Sequence, residues 1–417
     1  VPVAHSDVTC VLTNTVPTAP YRGAGRPEAA YIMESLMDAA AMALGLDTVE
    51  IRRRNLLPRE AMPYRTALGM RYCSGDFPDL LDHALKAADW GGLDERKARS
   101  AARGRFRGAG IGMFVEISGG VPNERAKMSL GADGIAHVRT AVGATGQGHE
   151  TVFAMLADEQ LGLGCERIVV AQGDSTDFED GGTSSASRST QMAGLAIRAT
   201  ALHLIDAAKA RAAARWGVST DRIAYDAGRL SVPATNLAIA IEDLANGGAP
   251  PLVAEARIEA EPTFPSGCHI AEAEVDPETG VVTIDRYVAV DDCGRVIHHT
   301  LAEGQVMGAL AQGLGQVLME HGVYDPASGQ LMAGSLMDYA LPRARDLPPV
   351  TSILAPSPAT NNPLGVKGVG ESGTVGPLPA VMNAIRDALR PLGVVEIEMP
   401  ATPARVWTAI ERAQARV

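Results

Sequence analysis

Residues 365–376 read GVKGVGESGTVG and run straight into PLPAVMNAIRDALR at 377–390. Five glycines fall within those twelve residues, with a single acid, Glu371, among them. Glycine at this density lets the backbone take positive φ and come close to another group. Pro377 suits the first turn of a helix, where its missing N–H costs nothing. Val381, Ile385 and Leu389 then recur at i, i+4 and i+8, one face of that helix. The stretch predicts a tight glycine loop on a helix N-terminus that presents one carboxylate to something bulky. The alternative is a flexible surface loop with an incidental acid, although such loops are ordinarily richer in Ser, Asn and Asp.

A chain of 417 residues has room for two or more packed units around a large buried ligand. Hydrophobic residues make up 46% and aromatics only 4%, so the interior must be built largely from Ala, Val and Leu. Lys and Arg number 37 against 49 Asp and Glu, a net charge of −12, which argues against wrapping nucleic acid or docking on an anionic membrane. No apolar run reaches the length of a membrane span. Cys10, Cys73, Cys165, Cys268 and Cys293 are scattered, with no C-x-x-C. Neither a disulfide framework nor an iron–sulfur cluster is expected from this chain alone, and a reducing cytoplasm is the expected compartment.

Toward the N-terminus, residues 8–14 read as a short strand leading into TVPTAPYRGAGRPE at 15–28. Arg22-Gly23-Ala24-Gly25-Arg26 forms a closely approachable loop, and Pro27 opens a helix. Its apolar face is expected to carry Ala30, Met33, Met37, Ala40 and Leu44, with Gly45 as C-cap. The two arginines flanking the glycines can hold an anion or can pair with local acids such as Glu28 and Glu34. Arg52–Arg54 add a basic cluster. A helix is expected near 77–90, a charged surface connector at 94–107, and a glycine-punctuated strand at 107–117. Residues 126–130 and 136–142 flank Gly131-Ala132-Asp133-Gly134, a hairpin signal.

Two later stretches share a chemistry. Gly146-Gln147-Gly148-His149 precedes a helix carrying Val152, Met155, Leu156 and Leu161. Free N–H groups at such a start favour a phosphate or other anion; the alternative is an ordinary cap with His149 in solvent. Residues 181–190, GGTSSASRST, open a long helix expected over 191–216. Its hydroxyls, glycines and Arg188 make a second anion cradle, unless the run is a serine-rich linker. Two cradles suggest an extended, multi-phosphate ligand, yet neither has P-loop or dinucleotide-fingerprint spacing. Residues 237–244 read as a helix, followed by a Gly/Pro break at 247–251. Residues 268–275 and 281–290 form a hairpin around DPETG that delivers Asp291-Asp292-Cys293-Gly294. Beside two acids the Cys293 thiolate is disfavoured, so a structural thiol is expected. Gln305 and Gln312, seven apart on a helix over 304–318, share one face and need a polar partner.

In order and spacing, YRGAGRPE, GATGQGHET, GTSSASRST, EVDPETGVVTIDRYVAVDDCGRVI, EGQ…AQGLGQVLMEHGVYD and GVKGVGESGTVG resemble one family. It is the molybdenum-binding large subunit of the xanthine dehydrogenase, aldehyde oxidase and carbon monoxide dehydrogenase group of molybdenum hydroxylases. The resemblance implies an α+β fold of mixed sheets with packed helices. It also implies a molybdopterin cofactor, commonly the cytosine dinucleotide in bacterial members, with Mo held through the pterin and by no protein ligand. Glu371 in VGESG matches the family's catalytic glutamate, the base for the hydroxyl delivered to substrate; partial burial raising its pKa toward neutrality would suit that task. Arg22 and Gly23 match the loop beside the metal. Gln147, Gly148 and His149, with Ser185, Ala186, Ser187, Arg188 and Ser189, match pterin and phosphate contacts. Cys293, Gln305, Lys367, Gly368 and Gly370 match a further cofactor-contacting region. Phe114 and Glu116, with Ser118, alternate onto one face of a strand near the substrate pocket, with Phe114 as core the alternative.

The sequence departs from the family in three places. The YRGAGR loop lacks the cysteine that carries copper in CO dehydrogenases, which argues against CO oxidation. His298-His299 stand where the family usually has Asn-Pro. Family large subunits are almost twice this length. Residues 1–58 therefore read as the tail of a first cofactor-binding domain, and 59–417 as a second, with a division near 250–265 into two sub-lobes. A split subunit and a truncated piece both fit. The implied partners are an N-terminal molybdenum-domain segment or subunit, an iron–sulfur small subunit and an FAD medium subunit, which would carry the clusters and flavin. The implied activity is hydroxylation of an aldehyde or N-heterocycle with water-derived oxygen, inactive without partner chains. The competing reading is a cofactor-free fragment with an assembly or scaffold role.

Overall fold

Alternate glycines decide how the principal sheet meets its helix. In the strand Phe106–Val115, Gly108, Gly110 and Gly112 share one face. The helix Pro377–Leu389 lies so close to that face that a Cβ at Gly108 or Gly110 would overlap its backbone, and one at Gly112 would meet Gly376 O and Pro379. The glycine-punctuated stretch and the helix after the glycine loop are thus one contact. Gly110→Val is expected to cost about 1–3 kcal/mol or more through overpacking, read as a lower urea midpoint at unchanged m.

The computed structural model describes residues 3–415 apart from 120–122, 179–181, 247 and 395. Gly181, at the head of the serine-rich run, and Gly247, in the Gly/Pro break, lie outside the described residues. The principal sheet runs Val350–Leu354, Val282–Asp292, Ser266–Val275, Phe106–Val115 in spatial order. The first pair is parallel and the others antiparallel. Its centre is the expected hairpin, with Cys268 opposite Val290. Strand periodicity sends alternate side chains to two cores. Ala271 and Ala273 pack with Val306, Leu310 and Ile385, whereas Cys268 and Ile270 pack with Leu80, Leu81 and Ala84.

A second sheet has the order Leu252–Glu259, Asn123–Leu130, Ala136–Thr140, Ile168–Gln172. It is covered by the helices His149–Leu161 and Ser189–Trp216, whose Leu156, Ile197, Ala201 and Leu204 are buried with Met128 and Val138. The chain leaves the principal sheet after Val115 and returns to it at Ser266.

Four expectations are corrected. No strand forms over 8–14: residues 3–20 are exposed and have no strand partner among the described residues, and an unpaired strand leaves its N–H and C=O groups without a ladder. The helix Arg26–Leu44 ends at Gly45 as expected, but it buries Pro27, Ala30, Glu34 and Ala41, leaving Met33 and Leu44 exposed with Ile32 and Leu36. The cause is Arg52, only 1% exposed, whose Nε lies 2.8 Å from Glu34 and whose Nη1 lies 2.7 Å from Asp38. A buried guanidinium must be paired, and that requirement sets the rotation of the helix. Arg53 pairs with Asp82 and Arg54 with Glu50, so the basic cluster is spent on acids. The connector at 94–107 is largely the helix Leu93–Ala101; Arg96 and Arg107 reach Glu272, which is nearly sealed from solvent. Residues 237–244 supply the strand Ala238–Ala240 and the turn Glu242–Ala245 instead of a helix. Leu237, Ile239 and Ile241 alternate with period two, and Ile239 faces Leu230 across a small three-stranded sheet. Among the described residues no single helix is long and apolar enough to cross a membrane.

Candidate active-site cleft

Loops from both sheets frame a cleft of about 510 Å³. Two of its walls are helix starts. His149–Leu161 begins after Gly148 (φ 74°), and Ser189–Trp216 begins after the serine run, so their unpaired N–H groups share one cavity. The two cradles join through Gln147, whose Nε2 donates to Ser184 Oγ at 2.7 Å. Ala186 and Ser187 both sit at φ 51°, a costly backbone for residues other than glycine. The turn is pinned by Gly119 N–H donating to Ala186 O at 3.0 Å and by Glu371 N–H donating to Ser187 Oγ at 3.0 Å. The glycine loop presses against it: a Cβ at Gly368 would lie 2.5 Å from that of Ser187 and 2.6 Å from that of Ser118. That contact requires glycine at 368, while Gly373 is closed off by Val306 O and Gly376 by the His269 ring.

Glu371 is the only acidic residue among the described residues lining the cleft. Its Oε1 accepts the Gly23 N–H at 3.0 Å, and its Oε2 accepts from Ser187 Oγ at 3.1 Å. Gly23 holds φ 101° with Pro27 packed where a side chain would start, so only glycine places that N–H there without strain. Arg22 is clamped from three sides. Nε donates to Gly370 O, Nη1 to Gln312 Oε1 at 3.1 Å, and Nη2 to Gln305 Oε1 at 3.0 Å. The two glutamines thus find their expected polar partner. Burial pulls the Arg22 pKa down, opposed by the charge of Glu371.

The expected site residues fall into two groups. Arg22, Gln147, His149, Ser185, Ala186, Ser187, Ser189, Cys293, Gln305, Lys367, Gly368, Gly370 and Glu371 all border the cleft. His149 is not in solvent: it is 3% exposed, stacks on Phe153 at 4.8 Å, and lies 3.0 Å from Gln172 Oε1, with burial lowering its pKa. Burial, reinforced by Asp292 and Asp291, pushes the Cys293 thiol up to about 12, which fits a structural thiol. The Lys367 ammonium is withheld from a ligand, donating to Asp292 Oδ2 at 2.6 Å and to Ser74 O at 3.3 Å.

Five others stand back from the cleft. Arg188, 1% exposed, turns away to Glu124 (3.3 Å) and Asn123 O (2.8 Å), since a buried cation takes the nearest buried acid. Phe114 is core, with Ala30 and Val375, edge-on to His269 at 5.4 Å. Gly148 faces Leu301, and Gly23 reaches the site only through its N–H. Glu116, 1% exposed, sits beneath the cleft, where Ser372 Oγ donates to it at 3.2 Å. Burial and then the charge of Glu371 raise its pKa well above the usual carboxylate range. Ser184 and Ser372 were missed by sequence reasoning, although each is a hydroxyl inside a motif already singled out.

Hydroxyls, amides and two helix N-termini line the cleft, and one acid, Glu371, stands beside the serine turn. Among the described residues no group of three or more His, Cys, Asp or Glu side chains is arranged to hold a metal ion.

Residues 83–348 and 1–56 each match a family described as Molybdopterin cofactor-binding domain. The chain is 33% identical over 427 residues to the 6-hydroxypseudooxynicotine dehydrogenase complex subunit gamma of Paenarthrobacter nicotinovorans, covering 98% of this chain and 53% of that protein. It is 32% identical to the carbon monoxide dehydrogenase large chain of Hydrogenophaga pseudoflava, covering 99% of this chain and 54% of that one. The reconstituted CO dehydrogenase from Oligotropha carboxidovorans superposes with a TM-score of 0.88 at 28% identity, over 96% of this chain and 53% of that one. The chain spans about half the length of the curated relatives it matches. By its matched domains, its fold and its cleft, it belongs to the molybdopterin-binding large-subunit family of the molybdenum hydroxylases.

Proposed function

We propose that this chain supplies the general base and one wall of the cofactor cleft in an oxidoreductase that hydroxylates an aldehyde or N-heterocycle with oxygen from water. The observation that carries this reading is the isolation of Glu371 as the sole acid among the described residues of a donor-lined cleft, with both carboxylate oxygens fixed. When bound, the molybdenum cofactor supplies the two-electron redox centre and the hydroxyl to be delivered. Ser185, Ser189 and Gln147 would hold its pterin and phosphate end, with the cytosine dinucleotide as the proposed form. Gly368 and Gly370 let the backbone close on it, and Arg22 fixes the loop that carries the base. Glu371 takes the proton at a carboxylate oxygen. A proton acceptor held by two donors keeps its orientation without paying for it during the reaction. The cysteine-free loop at 21–26 supports an organic substrate rather than CO.

Residues 1–58 belong, in this reading, to a first cofactor-binding domain whose remaining part is a partner segment or subunit. The exposed Ile32, Met33, Leu36 and Leu44 on the helix Arg26–Leu44, and the exposed residues 3–20, are surfaces such a partner would cover. Electrons then leave through partner subunits carrying iron–sulfur clusters and FAD, in the cytoplasm.

The test is metal and pterin content of this chain co-produced with its molybdenum-domain partner. Near-stoichiometric Mo is expected, and Ser189→Leu, which blocks a cradle, should lower Mo and activity in parallel. Full activity with no Mo bound, or a Ser189→Leu variant that loads Mo normally, would overturn the reading.

A further inference from the structure

Ser187 has one hydroxyl proton and two carboxyl neighbours. Its Oγ lies 3.1 Å from Glu371 Oε2 and 3.3 Å from Glu116 Oε1, while accepting the Glu371 N–H at 3.0 Å. A single O–H satisfies one of those oxygens. Glu116 is 1% exposed, anchored by its own N–H donating to Pro265 O at 2.8 Å. Two ionised carboxylates across one hydroxyl, one of them sealed from water, repel each other strongly. The arrangement closes only if one carboxyl brings a second proton. Glu371 borders the open cleft, accepts the Gly23 N–H and has Arg22 beside it, whereas Glu116 is 1% exposed with Ser372 Oγ as its other donor. The proton therefore belongs on Glu116.

We propose that Glu116 is a positioning residue for Glu371: it holds a resident proton, donates it to Ser187 Oγ, and so commits the Ser187 proton to the Glu371 carboxylate. The base would then stand on a three-member chain, Glu116 to Ser187 to Glu371, with one acid kept neutral so that the other stays charged and oriented. Burial of Glu116 and the charge of Glu371 both push in that direction. The charged groups facing the pair are few. Arg22 comes from the 21–25 turn, and the serine loop and the Ser372–Val375 turn contribute hydroxyls. Lys367 is committed to Asp292, and His269 on the neighbouring strand to Tyr287 and Asp291. The inference rests on Glu371 acting as the base.

The proton is read directly, without cofactor, by carbon-13 NMR of the 417-residue chain labelled at the glutamate carboxyls. One carboxyl that keeps its proton above the ordinary glutamate range in the wild type should be missing in E116Q. Glu34, also held high by burial, should persist in both and serve as a reference. If the same high-titrating signals survive in E116Q, the proposal is wrong. In the complex assembled with its partner segment, E116A should lose turnover by about two- to tenfold, the usual worth of a lost hydrogen bond between neutral groups. Its acid limb should move to higher pH, because the Glu371 anion has lost support. E116Q, whose amide can still donate to Ser187 Oγ, should lose less and shift less. Unshifted acid limbs in both variants would also overturn the proposal. A proton found on Glu116 together with a fully active Glu371→Gln enzyme would uphold the proton placement and overturn the assignment of Glu371 as base.

Discussion

Glu371→Gln should lower turnover by about 10²–10⁴-fold, the usual worth of general-base catalysis, while leaving cofactor content near wild type. The amide keeps the length of the side chain and can still accept the Gly23 N–H through its oxygen. What it lacks is a basic lone pair for the substrate-side proton. The residues proposed to hold the pterin and phosphates, Gln147 and the serine run, lie on the other sheet's loops, so their hold should survive. The measurement is kcat beside Mo content on the same preparation. A variant with full Mo and near-full turnover would leave Glu371 as a structural partner of the glycine loop and nothing more.

Lys367→Met should be the most damaging of these substitutions to stability. Lys367 and Asp292 form an ion pair whose side chains are 0% and 1% exposed, at 2.6 Å. Removing one member of such a pair strands the other charge, a loss of about 3–5 kcal/mol. The loss should depend on pH, with a definite sign. Burial raises the Asp292 pKa above its ordinary value even with the ammonium beside it. A carboxyl whose folded pKa is raised binds more protons in the native than in the unfolded state. Stability therefore falls as pH rises from the unfolded to the folded pKa, and is lowest above it. Without the ammonium that window widens upward. The deficit of Lys367→Met should be full above the folded pKa that Asp292 has in the variant and shrink toward acid. Urea melts at several pH values would show this, and Asp292→Asn added to Lys367→Met should recover part of the loss. A deficit that does not change with pH would mean that packing of the lysine stem dominates, not the charge.

Much of this molecule could be read from local sequence. Glycine spacing, proline at a helix start and period-two alternation placed the Pro377–Leu389 helix and the central hairpin, because those signals are satisfied within a few residues. The cleft was legible for a related reason: its parts are helix starts and tight loops with unusual composition. Features set by distant partners were hidden. The rotation of Arg26–Leu44 depends on Arg52, which in the sequence is one member of a basic cluster and in the fold is buried against Glu34 and Asp38. Arg188 resembled a phosphate ligand by neighbourhood alone, and only the fold shows Glu124 beneath it. Glu116 stood out weakly, as one of three alternating residues; the serine that joins it to Glu371 comes from a loop 71 positions away.

The glycine face of Phe106–Val115 has a consequence for the mechanics of the site. Side chains between a helix and a sheet act as a compliant layer, able to absorb small displacements by changing rotamer. Here that layer is missing at three successive contacts, and backbone bears directly on backbone. The helix that follows Glu371 is thus bolted to the sheet rather than cushioned on it, so the Glu371 carboxylate inherits the stiffness of the sheet. Adaptation to differently shaped substrates would have to come from walls that still carry a soft layer.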